Sequence, residues 1–156
     1  MSPQKKISSS RLSPRARPEQ RRRASRLLES ARVAHLATAD NRGRPHVIPI
    51  CFAFDGREIY SPIDEKPKKL PPFRLKRIRN IRANPHVAVV IDRYEENWKR
   101  LAYVLIVGKA TVLLRGARHA KAIRLLRKKY SQYRKMRLEE KPIVCITCVR
   151  FTPWTP

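Results

Sequence analysis

Residues 45–61 read PHVIPICFAFDGREIYS, and the fold turns on them. The first ten are almost wholly apolar, as expected of a strand buried on at least one face. Asp55-Gly56 is a tight-hairpin signal, because such a turn needs the positive φ that glycine adopts without strain. Residues 57–61 are then the returning strand. Pro49 has no amide hydrogen to give a ladder. It belongs at a sheet edge, at a bulge, or where a ligand takes the place of a neighbouring strand.

Working outward, residues 18–30 predict a helix, with Pro18 tolerated in its first turn and Leu27, Leu28 and Ala31 on one apolar face. Residues 32–39 (RVAHLATA) read as a strand closed by the turn Asp40-Asn41-Arg42-Gly43. Residues 62–73 carry four prolines and three lysines, which makes a loop. Residues 74–83 form a short basic helix with Leu75, Ile78 and Ile81 three apart, stopped by Asn84-Pro85. Residues 86–92 (HVAVVID) are a β-branched central strand. Residues 100–114 make a long strand with a bend or bulge at Gly108. Residues 117–133 are helical, with Ala120, Ile123, Leu125, Leu126 and Tyr130 on the apolar side. Residues 142–151 (PIVCITCVRF) close the chain as a strand. The order is α-β-β-β-α-β-β-α-β: mainly β with flanking helices, a six-stranded antiparallel barrel with helices at its ends. Residues 1–17, rich in Ser, Pro and Arg, are expected to be a disordered basic arm, leaving 18–156 as one domain.

Length and composition agree. The chain has 156 residues and 42% hydrophobic residues, enough for one domain with a real core. No apolar run reaches membrane-spanning length, and no signal-peptide core follows the polar start. Three cysteines are too few for a disulfide scaffold, so a reduced, cytoplasmic chain is expected. Thirty-seven Lys and Arg against twelve Asp and Glu leave a net charge of +25. The cations cluster in the first 23 residues, from Lys66 to Arg82 and from Arg115 to Arg137. Such a field suits polyanions, and it equally suits a solvated basic shell around an apolar core.

Few residues carry obvious chemistry. Cys145 and Cys148 form a lone C-x-x-C, which within a strand points the two thiols to opposite faces. His35, His46, His86 and His119 show no metal-ligand spacing, and His35 and His86 read as structural. No metal site is expected and no catalytic residue is assigned. One constellation stands out: Tyr60-Ser61 at a strand end, then Lys66, Lys68 and Lys69, then Arg74, Lys76 and Arg77. Hydroxyl, ammonium and guanidinium groups at the end of a strand make a phosphate site, or else a merely solvated charge run.

The runs ARVAHLATADNRGRPHVIPICFAFDGREIYSPIDEKPK and LKRIRNIRANPHVAVVIDRYEENWKRLAYVLIVGKA resemble the pyridoxamine 5′-phosphate oxidase-like split-barrel flavoproteins. Within these they are most similar to a branch of probable coenzyme F-420-dependent oxidoreductases, whose signature resembles residues 92–101. The resemblance covers residues 20–152. It departs at Asn97, where the branch has an acid, and at Tyr103, where it has tryptophan. It implies a six-stranded split β-barrel that forms a homodimer, with coenzyme F-420 or flavin mononucleotide (FMN) in grooves at the interface. By the same resemblance His46, Val47, Ile48, Pro49 and Ile50 lie along the ring. Tyr60, Ser61 and Lys66 hold the phosphate end, with Lys69, Arg77 and Asn80 beside them, and Trp98 covers the ring or substrate pocket.

The activity so implied is hydride transfer between the cofactor and an unidentified small-molecule substrate. The cofactor carries the hard chemistry, so no acid–base dyad need be visible. Two other classes stay open: a non-catalytic flavin or haem carrier, and a basic nucleic-acid-binding protein whose contact runs through the N-terminal arm.

Overall fold

The computed structural model describes residues 17–63 and 71–156. The expected arm up to residue 16, and the candidate site residues Lys66 and Lys69, lie outside the described residues. The domain begins at α1 (Pro18–Ser30), where Pro18 occupies the first turn and Gln20 Oε1 accepts from Arg17 N at 3.0 Å. Seven strands follow: β1 (Ala34–Ala39), β2 (Pro45–Ile50), β3 (Ala53–Phe54), β4 (Glu58–Pro62), β5 (His86–Arg93), β6 (Ala102–Leu113) and β7 (Ile143–Trp154). Helix α2 (Lys76–Ala83) precedes β5, and α3 (Ala117–Lys129) lies between β6 and β7.

All ladders are antiparallel, in the order β2-β1-β5-β6-β7-β4-β3. The two edge strands, β2 and β3, are consecutive in sequence and joined only by Cys51 and Phe52. So short a link reaches about 10 Å at most, so the sheet must curl until its edges approach. The seam they leave makes this a split barrel.

The seventh strand comes from a break in residues 45–54, which the sequence suggests as one strand. Tyr130 explains the break. Its hydroxyl accepts from Phe52 N at 3.0 Å and donates to Arg32 O at 2.7 Å, standing in for a ladder partner. Residues beyond the break are thereby released to the far edge of the sheet. Helices α2 and α3 are shorter than their apolar spacing suggests. Pro72–Arg74 forms a separate 3-10 turn, and α3 stops before Tyr130, followed by a 3-10 turn over Ser131–Arg134.

Inside the curl, Leu36, Phe52, Ile59, Ile91, Ile106 and Phe151 pack with Leu28 of α1 and Ile78 of α2. A second cluster outside it joins Tyr60, Ile143 and Cys145 to Ala122, Ile123 and Leu126 of α3. Cys145 and Cys148 fall in different clusters, as strand alternation requires. Gly108 lies where the β6–β7 register shifts, and Val149 is the extra residue. A Cβ at Gly108 would sit 2.6 Å from Thr147 O, so only glycine permits the approach.

Candidate functional site

The β1–β2 turn is built around Asp40. Its carboxylate accepts from Arg42 N (2.9 Å), Arg44 N (3.1 Å), Arg44 Nε (2.8 Å) and Lys76 Nζ (3.4 Å). Burial alone would raise its pKa. The backbone amides and side chains of Arg44 and Arg42, with Lys76, outweigh burial and hold Asp40 well below the usual carboxylate range. Gly43, at φ 76°, lets the turn close. The Lys76 pair fixes the start of α2 against this turn, and Asn80 fixes its middle. Asn80 Nδ2 donates to Thr38 Oγ1 at 3.0 Å with both residues buried.

This anchoring sets Lys76 and Arg77 beside His46 at the start of β2. Burial, then the charges of Lys76 and Arg77, push the imidazole pKa down, so it is neutral at pH 7. His46 Nδ1 is buried and has no hydrogen-bond partner among the described residues. A buried polar atom without a partner costs roughly 1–3 kcal/mol, so it marks a place where a partner fits.

Strand β2 pairs only with β1 among the described residues, which leaves alternate backbone N–H and C=O groups facing the seam. Pro49 sits on this edge, opposite His35, where its missing donor disturbs no second ladder. Val47 (60% exposed) and Pro49 point outward, whereas His46, Ile48 and Ile50 turn inward. Val47 and Pro49 continue an outward apolar face through Ala37, Ala88 and Val107 to the stacked rings of Tyr103 and Trp154, 5.4 Å apart. His35 and His86 stand on this same outward face.

The remaining expected site residues are placed less openly. Tyr60 is fully buried, and its hydroxyl donates to Glu58 Oε2 at 2.7 Å with Asp55 Oδ2 at 3.1 Å. Burial and these two carboxylates raise its pKa, and the phenol is engaged by them within the second core. Asn80 is likewise engaged internally, as a brace under β1. Ser61 is 4% exposed and shares the inner face of β4 with Ile59 and Ile63. Trp98 is 69% exposed on the β5–β6 connection, and the ladders put it at the Ile50 end of β2, away from His46.

Asp40, Lys76 and Thr38 complete the cluster and were not singled out as a set by the sequence. The one available signal was the Asp40-Asn41-Arg42-Gly43 turn, whose leading aspartate is suited to accept from its own backbone.

A second polar cluster surrounds a cavity of about 490 Å³ lined by Asp55, Arg57, Glu58, Arg118, Lys121 and Thr147. Its charges close on one another. Lys121 donates to Asp55, Arg118 Nη2 to Glu58 Oε1 (2.5 Å), and Thr147 Oγ1 to the same oxygen (3.0 Å). Burial, followed by Glu58, pushes the Cys145 thiol up to about 12, which makes it inert at neutral pH. This network fastens the β3–β4 hairpin to α3 and β7. Among the described residues, no group of three His, Cys, Asp or Glu side chains is placed to hold a metal.

What the geometry can do is bind. A strand edge offers hydrogen bonds to a flat heterocycle, and two cations and a neutral imidazole wait at one end of it.

Solved structures with this fold include the haem storage protein HutZ of Vibrio cholerae (15% identity, 83% of this chain and 89% of that one, TM-score 0.63). A FAD-binding protein of Mesorhizobium loti matches at 22% identity over 84% and 91% (TM-score 0.61). A structure described as F420 reductase matches at 21% identity over 82% and 94% (TM-score 0.55). At these identities the likeness is one of fold. No curated protein matches the sequence. The family described as pyridoxamine 5′-phosphate oxidase matches residues 21–154, nearly the whole described domain, and the chain belongs to that family.

Proposed function

We propose that this protein is a homodimeric oxidoreductase that binds coenzyme F-420 or FMN along β2 and transfers hydride to or from a small molecule in the cytoplasm. The observation that carries this reading is the buried Nδ1 of His46, without a partner among the described residues and flanked by Lys76 and Arg77, at the head of a strand edge that no described strand pairs. The residues present fit such a group. Backbone groups of residues 46–50 suit the polar edge of the ring, and Val47 and Pro49 suit its face. Arg77, with Ser61, Lys66 and Lys69 of the same expected set, suits its anionic end. When bound, the cofactor supplies the hydride chemistry. The chain's residues supply position. The Asp40–Lys76 pair fixes α2 against the turn, and the neutral His46 holds a hydrogen bond at a stated nitrogen without adding charge.

The outward apolar face supports the dimer. Val47, Tyr103 (37%), Val149 (59%) and Trp154 (40%) are exposed in a single chain, a cost removed if a second copy covers them. Trp98, on the exposed connection beside the Ile50 end of β2, is the residue we assign to covering the ring or substrate.

Two experiments test this. Lys66→Ala is expected to weaken FMN or F-420 binding at least tenfold, while Lys5→Ala leaves it unchanged. Equal small effects from both would mean that bulk charge, not a site, attracts the anion. The second is turnover: chemically reduced coenzyme F-420 is mixed with the protein and a panel of small acceptors. The match to a haem storage protein supports a second reading, a non-catalytic carrier. Stoichiometric retention of the cofactor with no acceptor reduced would favour that carrier.

A further inference from the structure

Helix α1 carries four arginines, Arg21, Arg22, Arg23 and Arg26, in thirteen residues, while its apolar side is spent on the core through Ala24, Leu27 and Leu28. Two adjoining cavities run along its outer flank. One, of about 240 Å³, is lined by Arg23, Arg26, Ser30 and Arg93; the other, of about 380 Å³, by Arg17, Arg22, Arg23 and Thr155. Both are lined by Arg23, so they adjoin along a groove bounded by α1, the start of the β5–β6 connection and the end of β7.

Among the described residues, every cation lining this groove is an arginine. A guanidinium is a planar fork that matches two phosphate oxygens and is only weakly hydrated, so arginine in place of lysine favours phosphate recognition over simple solvation. Acidic compensation is sparse. Glu19 pairs with Arg23 at 2.8 Å. Glu95 is divided between Arg93 (3.3 Å) and Arg100 (3.0 Å). No ion pair among the described residues reaches Arg17, Arg22 or Arg26. Arg22 and Arg26 are one helical turn apart, about 6 Å along the axis, and both are exposed. The chain leading into α1 adds Lys5, Lys6, Arg11 and Arg15 with no acid.

We infer that this groove is a nucleic-acid-binding surface, in which Arg17, Arg22, Arg26 and Arg93 hold successive backbone phosphates independently of the cofactor seam. A lipid surface fits less well, because α1 has already buried its apolar side and has none to insert. Tyr94, next to Arg93 in sequence, is 65% exposed, and a base of a single strand can stack on such a ring, so the ligand we assign is single-stranded nucleic acid.

The test is fluorescence anisotropy of a labelled 20-nucleotide single strand and its duplex with the full chain, over a salt series. Binding to the single strand with a log–log salt slope of roughly −3 is expected from four to five phosphate contacts. R22Q with R26Q should weaken it at least tenfold at 100 mM salt and flatten the slope by about 1.4. The control, R124Q with K128Q, removes the same charge at the same spacing from an exposed face of α3 and should change neither. Circular dichroism establishes that both variants are folded. The charge-preserving R22K with R26K separates fork from charge and should lose part of the affinity while keeping the slope. Equal losses in the first variant and the control would overturn the inference, as would the absence of nucleic-acid binding. Binding to vesicles with 30% anionic lipid in preference to the oligonucleotides would overturn it too. FMN or F-420 binding should be identical in R22Q/R26Q and the parent, so failure of this groove and failure of the cofactor reading are seen separately.

Discussion

Single side chains decide what the site can hold. Asp40 is ionised and oversupplied with donors, and its folded pKa lies below its unfolded value of about 3.9. A depressed carboxylate contributes stability that is present above the unfolded pKa and is lost as pH falls through the folded one. Asp55 and Glu58 are depressed in the same direction, despite burial, by Lys121 and by Tyr60 with Arg118. The melting temperature should therefore drop as pH is lowered below about 4, and Asp40→Asn should flatten that acid limb. An unchanged limb in the variant would contradict the assignment. Tyr60→Phe tests the internal bracing role of the phenol. It should cost about 1–3 kcal/mol of stability by leaving the half-buried Glu58 carboxylate short of a donor, with cofactor affinity unchanged. Loss of affinity at unchanged stability would restore Tyr60 to the binding site. The sequence presents Tyr60 and Asn80 as polar residues near a strand end and on a basic helix. It cannot tell that their partners are Glu58, Asp55 and Thr38, because a hydrogen bond is chosen by tertiary placement. His46 is named in the sequence only through the family resemblance; the environment that keeps it neutral, Lys76 and Arg77 of α2, is likewise set by tertiary placement.

At the scale of elements, patterns with local causes were readable and those with distant causes were not. Pro49 allowed an edge, a bulge or a ligand in place of a strand, and β2 is an edge strand among the described residues. Gly108 announced a bulge, and the register shifts there. Gly108→Ala should destabilise the domain by roughly 1–3 kcal/mol in denaturant unfolding, since its Cβ would meet backbone that cannot give way. A neutral result would mean that β7 can slide. The break at Cys51–Phe52 was hidden because its cause, Tyr130, lies 78 residues away. The same corner joins two helix ends. Lys129 Nζ donates to Leu28 O (3.3 Å) of α1, and Arg32 Nη1 donates to Lys129 O (2.6 Å) of α3, so each helix is capped by a cation from beside the other. Burial, then Arg32, pulls the Lys129 pKa down to about 8. The unfolded value is about 10.4, so between these pH values the unfolded chain holds one more proton. Stability from this group then rises with pH over that window. Lys129→Met should abolish that rise in a melting-temperature series from pH 7 to 10; its persistence would point to another group.

The whole molecule is a curled sheet whose free edge and outward face remain apolar in one chain, wrapped in an excess of cations. The fold was accessible from sequence because alternation and turn chemistry agree along most of the chain. The proposed dimer and cofactor depend on surfaces that the single chain leaves open. Val47→Glu places a charge at the β2 end of the outward face, and sedimentation equilibrium should find the variant monomeric where the parent is a dimer. A parent that is itself monomeric would remove the interface from the account.

The most direct measurement is an equilibrium titration of the purified protein with coenzyme F-420 and with FMN, followed by gel filtration to count bound ligand per chain. One molecule per chain is predicted for at least one of the two, weakened tenfold or more by Arg77→Ala and by Val47→Glu. Absence of saturable binding to either, or binding indifferent to both substitutions, would contradict a ring seated along β2.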